Sequence, residues 1–208
     1  MGHTPFHLQV TEWDCVPTTF INALSLLFER EQIPPDVIQR VWLYGLDYIG
    51  PKQQQGRGTS GAAIALLCEW LYYKTGGHFS VEVERLEGPN VTPSKEGDLL
   101  DHLHDGAPAL LSVVTKEKKR HYVLALAEVD GWVYGFDPYP RPKSSEVGAV
   151  EWNLAESAYS NLPYRPKNGQ HPNIRIHTDR LAQESGTYCL GTPAEREVVL
   201  MYNRHDYS

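Results

Sequence analysis

The spacing of apolar residues changes near Gly76-Gly77, and this change limits the folds that are open to the chain. Before this point, apolar side chains recur every three or four residues, as they do along one face of an amphipathic helix. After it, apolar and polar side chains alternate, which is the pattern of β-strands. A chain that places its helices before its strands is expected to form an α+β protein.

Helices are predicted mainly in the first part of the chain. The first begins at Cys15 with Asp14 as its N-cap, because Pro17 is tolerated only in a first turn. Three more are expected, over residues 36–46, 61–74 and 95–104. Thr59 or Ser60 is the expected N-cap of the third helix.

The second part of the chain is predicted to contain strands joined by turns. The expected strands cover residues 78–85, 108–115, 121–129, 132–137, 173–176 and 197–202. Asp130-Gly131 lies between two of them and is a strong hairpin signal. Residues 138–173, which are rich in Pro, Tyr and Asn, are expected to be mostly ordered loop.

Length and composition fit one globular domain. The chain has 208 residues, of which 41% are hydrophobic, and this is enough apolar material for a core. We expect a single domain over residues 1–208, with a helical lobe over about 1–77 and a β lobe over about 78–208.

Charge and hydropathy exclude several classes of function. The formal net charge is −7 and no basic face is visible, so a nucleic-acid partner is not expected. No apolar run is long enough to span a membrane, and the N-terminus lacks the features of a signal peptide. We therefore expect a cytoplasmic protein without a membrane partner. The three cysteines are too few and too far apart for a disulfide framework.

The chemistry expected of Cys15 follows from its place at the start of a helix. A cysteine attacks as the thiolate, and the unpaired N–H groups at a helix N-terminus favour that form. A nearby histidine strengthens the effect, and a carboxylate or amide holds that histidine in one orientation. Attack on an acyl carbon also creates an oxyanion, which requires hydrogen-bond donors.

One residue is available for each of these roles. Gln9, six positions before Cys15, is a candidate oxyanion donor together with the backbone N–H of Cys15. His121 opens the first strand of the predicted hairpin, and Asp137 closes the second. Each of these residues alone has an ordinary structural explanation, but their combination predicts a Cys-His-Asp triad.

This combination resembles the papain-like cysteine peptidases. It is most similar to the peptidases that remove double-glycine leader peptides from bacteriocins, family 39 of the cysteine peptidases, and to their stand-alone relatives. The motifs that carry the resemblance are Gln9, Asp14-Cys15, Pro17-Thr18, Asn22-Ala23, Gly58-Thr59-Ser60, Gly106-Ala107-Pro108, His121-Tyr122-Val123, Asp130-Gly131 and Phe136-Asp137-Pro138. Val16 departs from the family, which usually has Gly or Ala after the cysteine, and the papain signature around the cysteine is absent.

The resemblance implies a papain-like fold with the active site in a cleft between the two lobes. It implies a triad of Cys15, His121 and Asp137. It also implies that Gln9 completes the oxyanion hole. The expected reaction is cleavage of a peptide or amide through a thioester, without a metal or an organic cofactor. Two alternatives remain open, an acyltransferase or transglutaminase with the same triad and an inactive relative that binds peptides. The sequence leaves the oligomeric state open.

A triad requires His121 and Asp137 to lie on one face of the hairpin. With a two-residue turn at Asp130-Gly131 and regular pairing, they would point to opposite faces, because side chains alternate along a strand. We therefore expect a three-residue loop from Val129 to Gly131, with Gly131 left-handed. An equivalent bulge that also places the two side chains on one face would serve the same purpose.

The two faces of the hairpin differ in side-chain size. The first face carries His121, Val123, Ala125, Ala127, Val133, Gly135 and Asp137, and the second carries Tyr122, Leu124, Leu126, Trp132, Tyr134 and Phe136. We expect the small residues of the first face to meet the helical lobe, and the bulky residues of the second face to form the core of the β lobe.

The other candidate residues have structural explanations. Cys68 lies within an apolar helical pattern and is expected in the core, whereas Cys189 is a candidate surface thiol. His102 and His104 diverge on a helix, so a zinc site is not expected. Trp13 either lines the cleft or packs in the core.

Overall fold

The computed structural model describes residues 2–94, 97–115, 119–139, 149–160, 162–163, 167 and 169–206. Within these ranges there are five α-helices: α1 (Cys15–Leu27), α2 (Pro35–Tyr44), α3 (Gly61–Tyr73), α4 (Asp98–His104) and α5 (Thr178–Ala182). Eight β-strands accompany them: β1 (Thr75–Gly76), β2 (Phe79–Glu87), β3 (Ala109–Val114), β4 (Arg120–Val129), β5 (Trp132–Phe136), β6 (Val150–Trp152), β7 (Ile174–His177) and β8 (Glu197–Asn203). The protein is therefore α+β, as the sequence predicts.

The described strands form one antiparallel sheet in the order β1-β2-β8-β3-β4-β5-β7-β6. The last strand of the chain, β8, lies between β2 and β3 in the middle of the sheet. The C-terminal part of the chain is therefore a central element of the fold.

Helices cover both faces of this sheet. Side chains of α1, α2 and α3 share one apolar cluster with one face of the sheet, and α4 and α5 share a second cluster with the other face. Strand β4 lies between the two clusters, and its residues from His121 to Ala127 are all buried. A strand covered on both faces is expected to be nearly continuously apolar, which is the composition of β4.

The starts of the helices follow local signals. Ser60 caps α3 by accepting a hydrogen bond from the N–H of Ala63 at 3.1 Å. Pro17 lies in the first turn of α1, as predicted. Asp14 occupies the N-cap position of α1, but its carboxylate does not cap the helix, so that part of the prediction is wrong. It accepts hydrogen bonds from the backbone N–H groups of Val10 and Thr11 instead.

Four elements differ from the sequence predictions. The short strand β1 and the five-residue helix α5 were not predicted. The span 138–173, which was expected to be mostly loop, contains β6 and a 3-10 turn at Glu156–Ala158. The remainder of that span includes residues 140–148, 161, 164–166 and 168, which lie outside the described residues. The predicted start of α4 at residues 95–96 also lies outside them.

The prediction about the two faces of the hairpin is wrong. The bulky residues Tyr122, Leu124 and Leu126 pack with α1, α2 and α3, rather than within a separate β-lobe core. The smaller residues Val123 and Ala125 pack with α4 and α5. The prediction assumed helices on one face only, whereas helices cover both faces of the sheet, so each set of β4 side chains packs against a helix layer.

Candidate active site

The β4–β5 hairpin places His121 and Asp137 on one face by means of a bulge. Its turn has two residues, since Val129 pairs with Trp132, so the predicted three-residue loop is wrong. Asp130 and Gly131 both have positive φ, 52° and 82°, and the left-handed Gly131 was predicted.

The predicted alternative, an equivalent bulge, is confirmed. The pairing shifts between Ala125 and Ala127, so β4 has one extra residue opposite β5. Beyond the bulge, Leu124 pairs with Phe136. When this register is continued for three more residues, His121 lies opposite Tyr139. The ring centroids of these two residues are 6.3 Å apart. The bulge thereby places His121 and Asp137 on one face of the hairpin, as a triad requires.

His121 is bonded to a carboxylate and lies near a cysteine. Its Nε2 lies 2.6 Å from Oδ1 of Asp137, and both side chains are buried. The side chain of Cys15 lies close enough to the imidazole to raise its pKa. Because Asp137 occupies Nε2, Nδ1 is the ring nitrogen that remains for the thiol.

The charge state of His121 is set by opposing effects. Burial lowers the pKa of the imidazole, but the negative charge and hydrogen bond of Asp137, followed by the interaction with Cys15, raise it to about 9. His121 is therefore an imidazolium at neutral pH. A positively charged ring next to a cysteine favours the thiolate form that attacks acyl carbons.

Asp137 is fully buried and is held by several donors. Its Oδ1 also accepts the backbone N–H of Tyr139 at 2.8 Å, and its Oδ2 accepts the hydroxyl of Tyr188. Asn173 binds the backbone of Asp137 twice, through Oδ1 to the N–H at 2.7 Å and through Nδ2 to the carbonyl at 2.9 Å. The carboxylate therefore has a fixed orientation toward His121.

Tyr188 reaches Asp137 from an unusual backbone conformation. Its φ is 60°, which a bulky side chain rarely adopts. Backbone bonds to β3 hold it there, from the N–H of Tyr188 to the carbonyl of Val114 at 2.7 Å and from the N–H of Val114 to the carbonyl of Cys189 at 2.9 Å. Non-glycine residues in sparsely populated conformations concentrate at functional sites.

Gln9 lies beside the end of β5. Its backbone N–H donates to the carbonyl of Pro138 at 2.9 Å, and its side chain is buried. Nε2 donates to the carbonyl of Thr11 at 2.6 Å, which uses one of its two hydrogens. Oε1 is buried without a partner among the described residues. The side chain thus has one hydrogen of Nε2, and Oε1, without a hydrogen-bond partner among the described residues.

The helix that carries Cys15 is anchored to the strand that carries His121. Thr19, one turn after Cys15, places its hydroxyl 2.7 Å from the carbonyl of Cys15 and 3.2 Å from the carbonyl of Tyr122, and it can donate to either. Cys15 as a residue is partly exposed. The nucleophile candidate is therefore held in place without being fully buried.

The other two cysteines lie in the protein interior. Cys68 packs in the core as predicted, and burial raises the pKa of its thiol to about 12. Cys189, predicted as a candidate surface thiol, is also buried, with its Sγ 3.0 Å from the carbonyl of Gly186. The surface prediction for Cys189 is wrong because the Tyr188 backbone is drawn against β3.

The two histidines of α4 diverge, as predicted. His102 is buried and its Nε2 lies 2.8 Å from the carbonyl of Pro108, whereas His104 is exposed and pairs with Glu128. Burial lowers the pKa of His102 to about 4. In the described part of the chain, no group of three or more His, Cys, Asp and Glu side chains is placed to hold a metal ion.

The sequence did not indicate Tyr188, Asn173 or Tyr139 as parts of the site. Tyr139 follows Asp137 by two residues, so its proximity was a usable signal. Asn173 and Tyr188 are 36 and 51 residues from Asp137, and no local pattern marks them.

Comparison with known proteins leaves the site to be interpreted from its geometry. No protein-family model matches the chain, and no curated protein matches it. No helix within the described ranges is long and apolar enough to cross a membrane.

Proposed function

We propose that this protein is a cysteine hydrolase of papain-like fold that cleaves a peptide or amide bond through a thioester. The observation that carries the proposal is the His121 imidazole, which is hydrogen-bonded to the buried carboxylate of Asp137 and lies close enough to the Cys15 side chain to interact with it. A core cysteine needs no such partners. The cleft would lie between a helical lobe of about residues 1–77 and a β lobe of about 78–208.

In the first step, the Cys15 thiolate attacks the carbonyl carbon of the substrate. The electron pair of the carbonyl bond moves to oxygen, and the oxyanion is held by the backbone N–H of Cys15 and Nε2 of Gln9. His121 gives its proton to the leaving amine as the carbon–nitrogen bond breaks. The product of this step is a thioester on Cys15 and a free amine.

In the second step, His121 acts as a base. It takes a proton from water, whose oxygen attacks the thioester carbon. The carbon–sulfur bond breaks, the thiolate leaves and a carboxylic acid is released. Asp137 keeps the imidazole oriented through both steps and stabilises its positive charge.

Trapping the thioester tests this proposal. The protein is mixed with the p-nitrophenyl ester of an N-acetyl amino acid, quenched in acid and analysed by intact mass and peptide mapping. We expect an acyl group on Cys15 together with a burst of nitrophenol, and neither with Cys15→Ala. A protein that forms no adduct on Cys15 under conditions where the ester is stable would contradict the proposal.

The same experiment separates hydrolysis from acyl transfer. When a primary amine is added, a transferase passes most of the acyl group to the amine, whereas a hydrolase passes most of it to water. We expect the free carboxylic acid as the main product.

A further inference from the structure

The indole ring of Trp13 contacts two cations that come from different parts of the chain. The guanidinium carbon of Arg57 lies 5.3 Å from the centroid of the Trp13 ring, and Nζ of Lys119 lies 5.8 Å from it. Both distances are within the range of cation–π interactions. Trp13 is only partly buried, so it gathers two positive charges near the protein surface.

Two residues of this cluster, Trp13 and Lys119, lie close in sequence to the proposed catalytic pair. Trp13 precedes Cys15 by two residues, and Lys119 precedes His121 by two residues. Consecutive Cα atoms are 3.8 Å apart, so a separation of two residues spans at most about 7 Å of backbone. A substrate held at Cys15 would therefore meet the field of these two cations.

The loop before α3 holds Arg57 in place. Its backbone N–H donates to the carbonyl of Tyr48 at 3.1 Å, and its side-chain stem packs on Gly50. A Cβ at position 50 would lie 2.8 Å from Cδ of Arg57, so any larger residue there would displace the stem. Among the described residues, Arg57 has no carboxylate in ion-pair distance, whereas Arg85 and Arg175 each bind a glutamate.

The positive charge at Trp13 contrasts with the rest of the protein. The chain as a whole carries a formal net charge of −7. Two acidic residues flank Trp13 in sequence: Glu12 is exposed, and the buried carboxylate of Asp14 accepts hydrogen bonds from the backbone N–H groups of Val10 and Thr11. Neither forms an ion pair with Arg57 in the described structure. A pair of cations beside a reactive centre raises the local concentration of anions.

We propose that Trp13, Arg57 and Lys119 form an anion subsite that binds a carboxylate of the substrate close to the scissile bond. This inference rests on the proposed function, because it takes Cys15 as the reacting centre. The preferred substrate is then an acidic peptide or amide.

Two alkylating reagents that differ only in charge test the subsite without a known substrate. Iodoacetate is an anion and iodoacetamide is neutral, and both react with Cys15. The rate constant of iodoacetate divided by that of iodoacetamide at pH 6 should fall about fivefold when Arg57→Gln and Lys119→Gln are combined. This estimate takes two charges that each act across about 8 Å of water-like surroundings. High salt should reduce the wild-type ratio and leave that of the double variant nearly unchanged.

Arg40→Gln is the matched control, since the guanidinium of Arg40 stacks on the rings of Tyr44 and Trp70 instead. Its ratio should equal that of the wild type. An equal ratio in the wild type and the double variant would overturn the subsite. Slow reaction of Cys15 with both reagents would instead contradict the proposed function, so the two failures are distinguishable.

Three acetylated dipeptides test whether the carboxylate comes from a side chain or from a chain terminus. The measurement is how much each dipeptide slows the alkylation of Cys15 by iodoacetamide. One has a glutamate side chain and an amidated end, one has glutamine and an amidated end, and one has glutamine and a free end. Stronger protection by the first supports a side-chain carboxylate, and stronger protection by the third supports a chain terminus. Protection no stronger than that of the neutral peptide would contradict the inference.

Discussion

Replacing Tyr188 by Phe removes one hydroxyl from the Asp137 site and leaves the aromatic ring. The ring keeps its edge contact with Trp152, 5.2 Å between centroids, so no cavity forms. The lost interaction is the hydrogen bond from the Tyr188 hydroxyl to Oδ2 of the fully buried carboxylate.

The charge on Asp137 determines the size of the effect. A hydrogen bond to a charged group contributes about 1.5–3 kcal/mol, whereas one between neutral groups contributes about 0.5–1.5 kcal/mol. Because Asp137 faces the His121 imidazolium, we expect the larger range. In a chain of this length, each kcal/mol changes Tm by about 2–4 °C, so Tm should fall by about 3–12 °C.

Chemical denaturation with urea measures this loss, with Tyr73→Phe as the control. Tyr73 is 74% exposed, so removal of its hydroxyl should change the free energy of unfolding by less than about 0.5 kcal/mol. In an Asp137→Asn background, the Tyr188→Phe loss should shrink by about 1 kcal/mol, because the acceptor is then neutral. A loss as small as that of Tyr73→Phe, or an equal loss in both backgrounds, would refute the reasoning.

Three further predictions concern the charge, the oxyanion and the bulge. The pKa of His121 is raised from 6.5 to about 9, so its imidazolium stabilises the fold below pH 6.5, and this contribution is lost as the pH rises through 9. Cys15→Ala protein keeps the part of this shift that Asp137 causes and loses the part that Cys15 causes. Between pH 6 and 9.5, its free energy of unfolding should therefore lose up to about 3 kcal/mol of its advantage over the same protein with His121→Gln; a constant difference would contradict this. Gln9→Ala should slow turnover of a confirmed substrate by about 10²–10³-fold, and an unchanged kcat would remove Gln9 from the mechanism. Gly135→Ala should destabilise the protein by about 2 kcal/mol or more, because a Cβ there would lie 2.3 Å from the carbonyl oxygen of Leu124 beside the bulge. Gly76→Ala, which meets nothing within 4 Å, is its control, and equal melting of the two variants would show that the bulge tolerates a side chain.

The helices and the hairpin were predictable because short-range signals encode them. Ser60 before α3 and Asp130-Gly131 between β4 and β5 each act within a few residues, and the structure places a cap and a turn there. The bulge that aligns His121 with Asp137 was predicted only as one of two ways to satisfy the triad. Its position depends on the approach of β4 to the backbone of β5, which no local pattern specifies.

The residues that orient Asp137 could not be predicted, because they act over long separations. Tyr188 reaches the carboxylate only in a left-handed backbone conformation that β3 stabilises. Asn173 reaches the same residue because β7 pairs with β5. Both contacts require the sheet order, which places β7 beside β5 and cannot be read from the alternation of apolar residues.

The assignment of the hairpin faces failed for a related reason. Alternation separates the residues of β4 into two sets, but it does not indicate which set meets α1. The structure places Tyr122 and Leu124 against the helices, and both sets are buried because α4 and α5 cover the opposite face.

The rate of Cys15 alkylation by iodoacetamide at pH 6, compared between the wild type and His121→Gln, tests the central claim most directly. Peptide mapping assigns the label, since Cys68 and Cys189 are buried and should react slowly. An unassisted cysteine is mostly protonated at this pH, and a neighbouring imidazolium favours the reactive thiolate. We predict that the wild type labels at Cys15 at least about tenfold faster than His121→Gln at pH 6. Equal rates at pH 6 would contradict the claim that Cys15 and His121 form a catalytic pair.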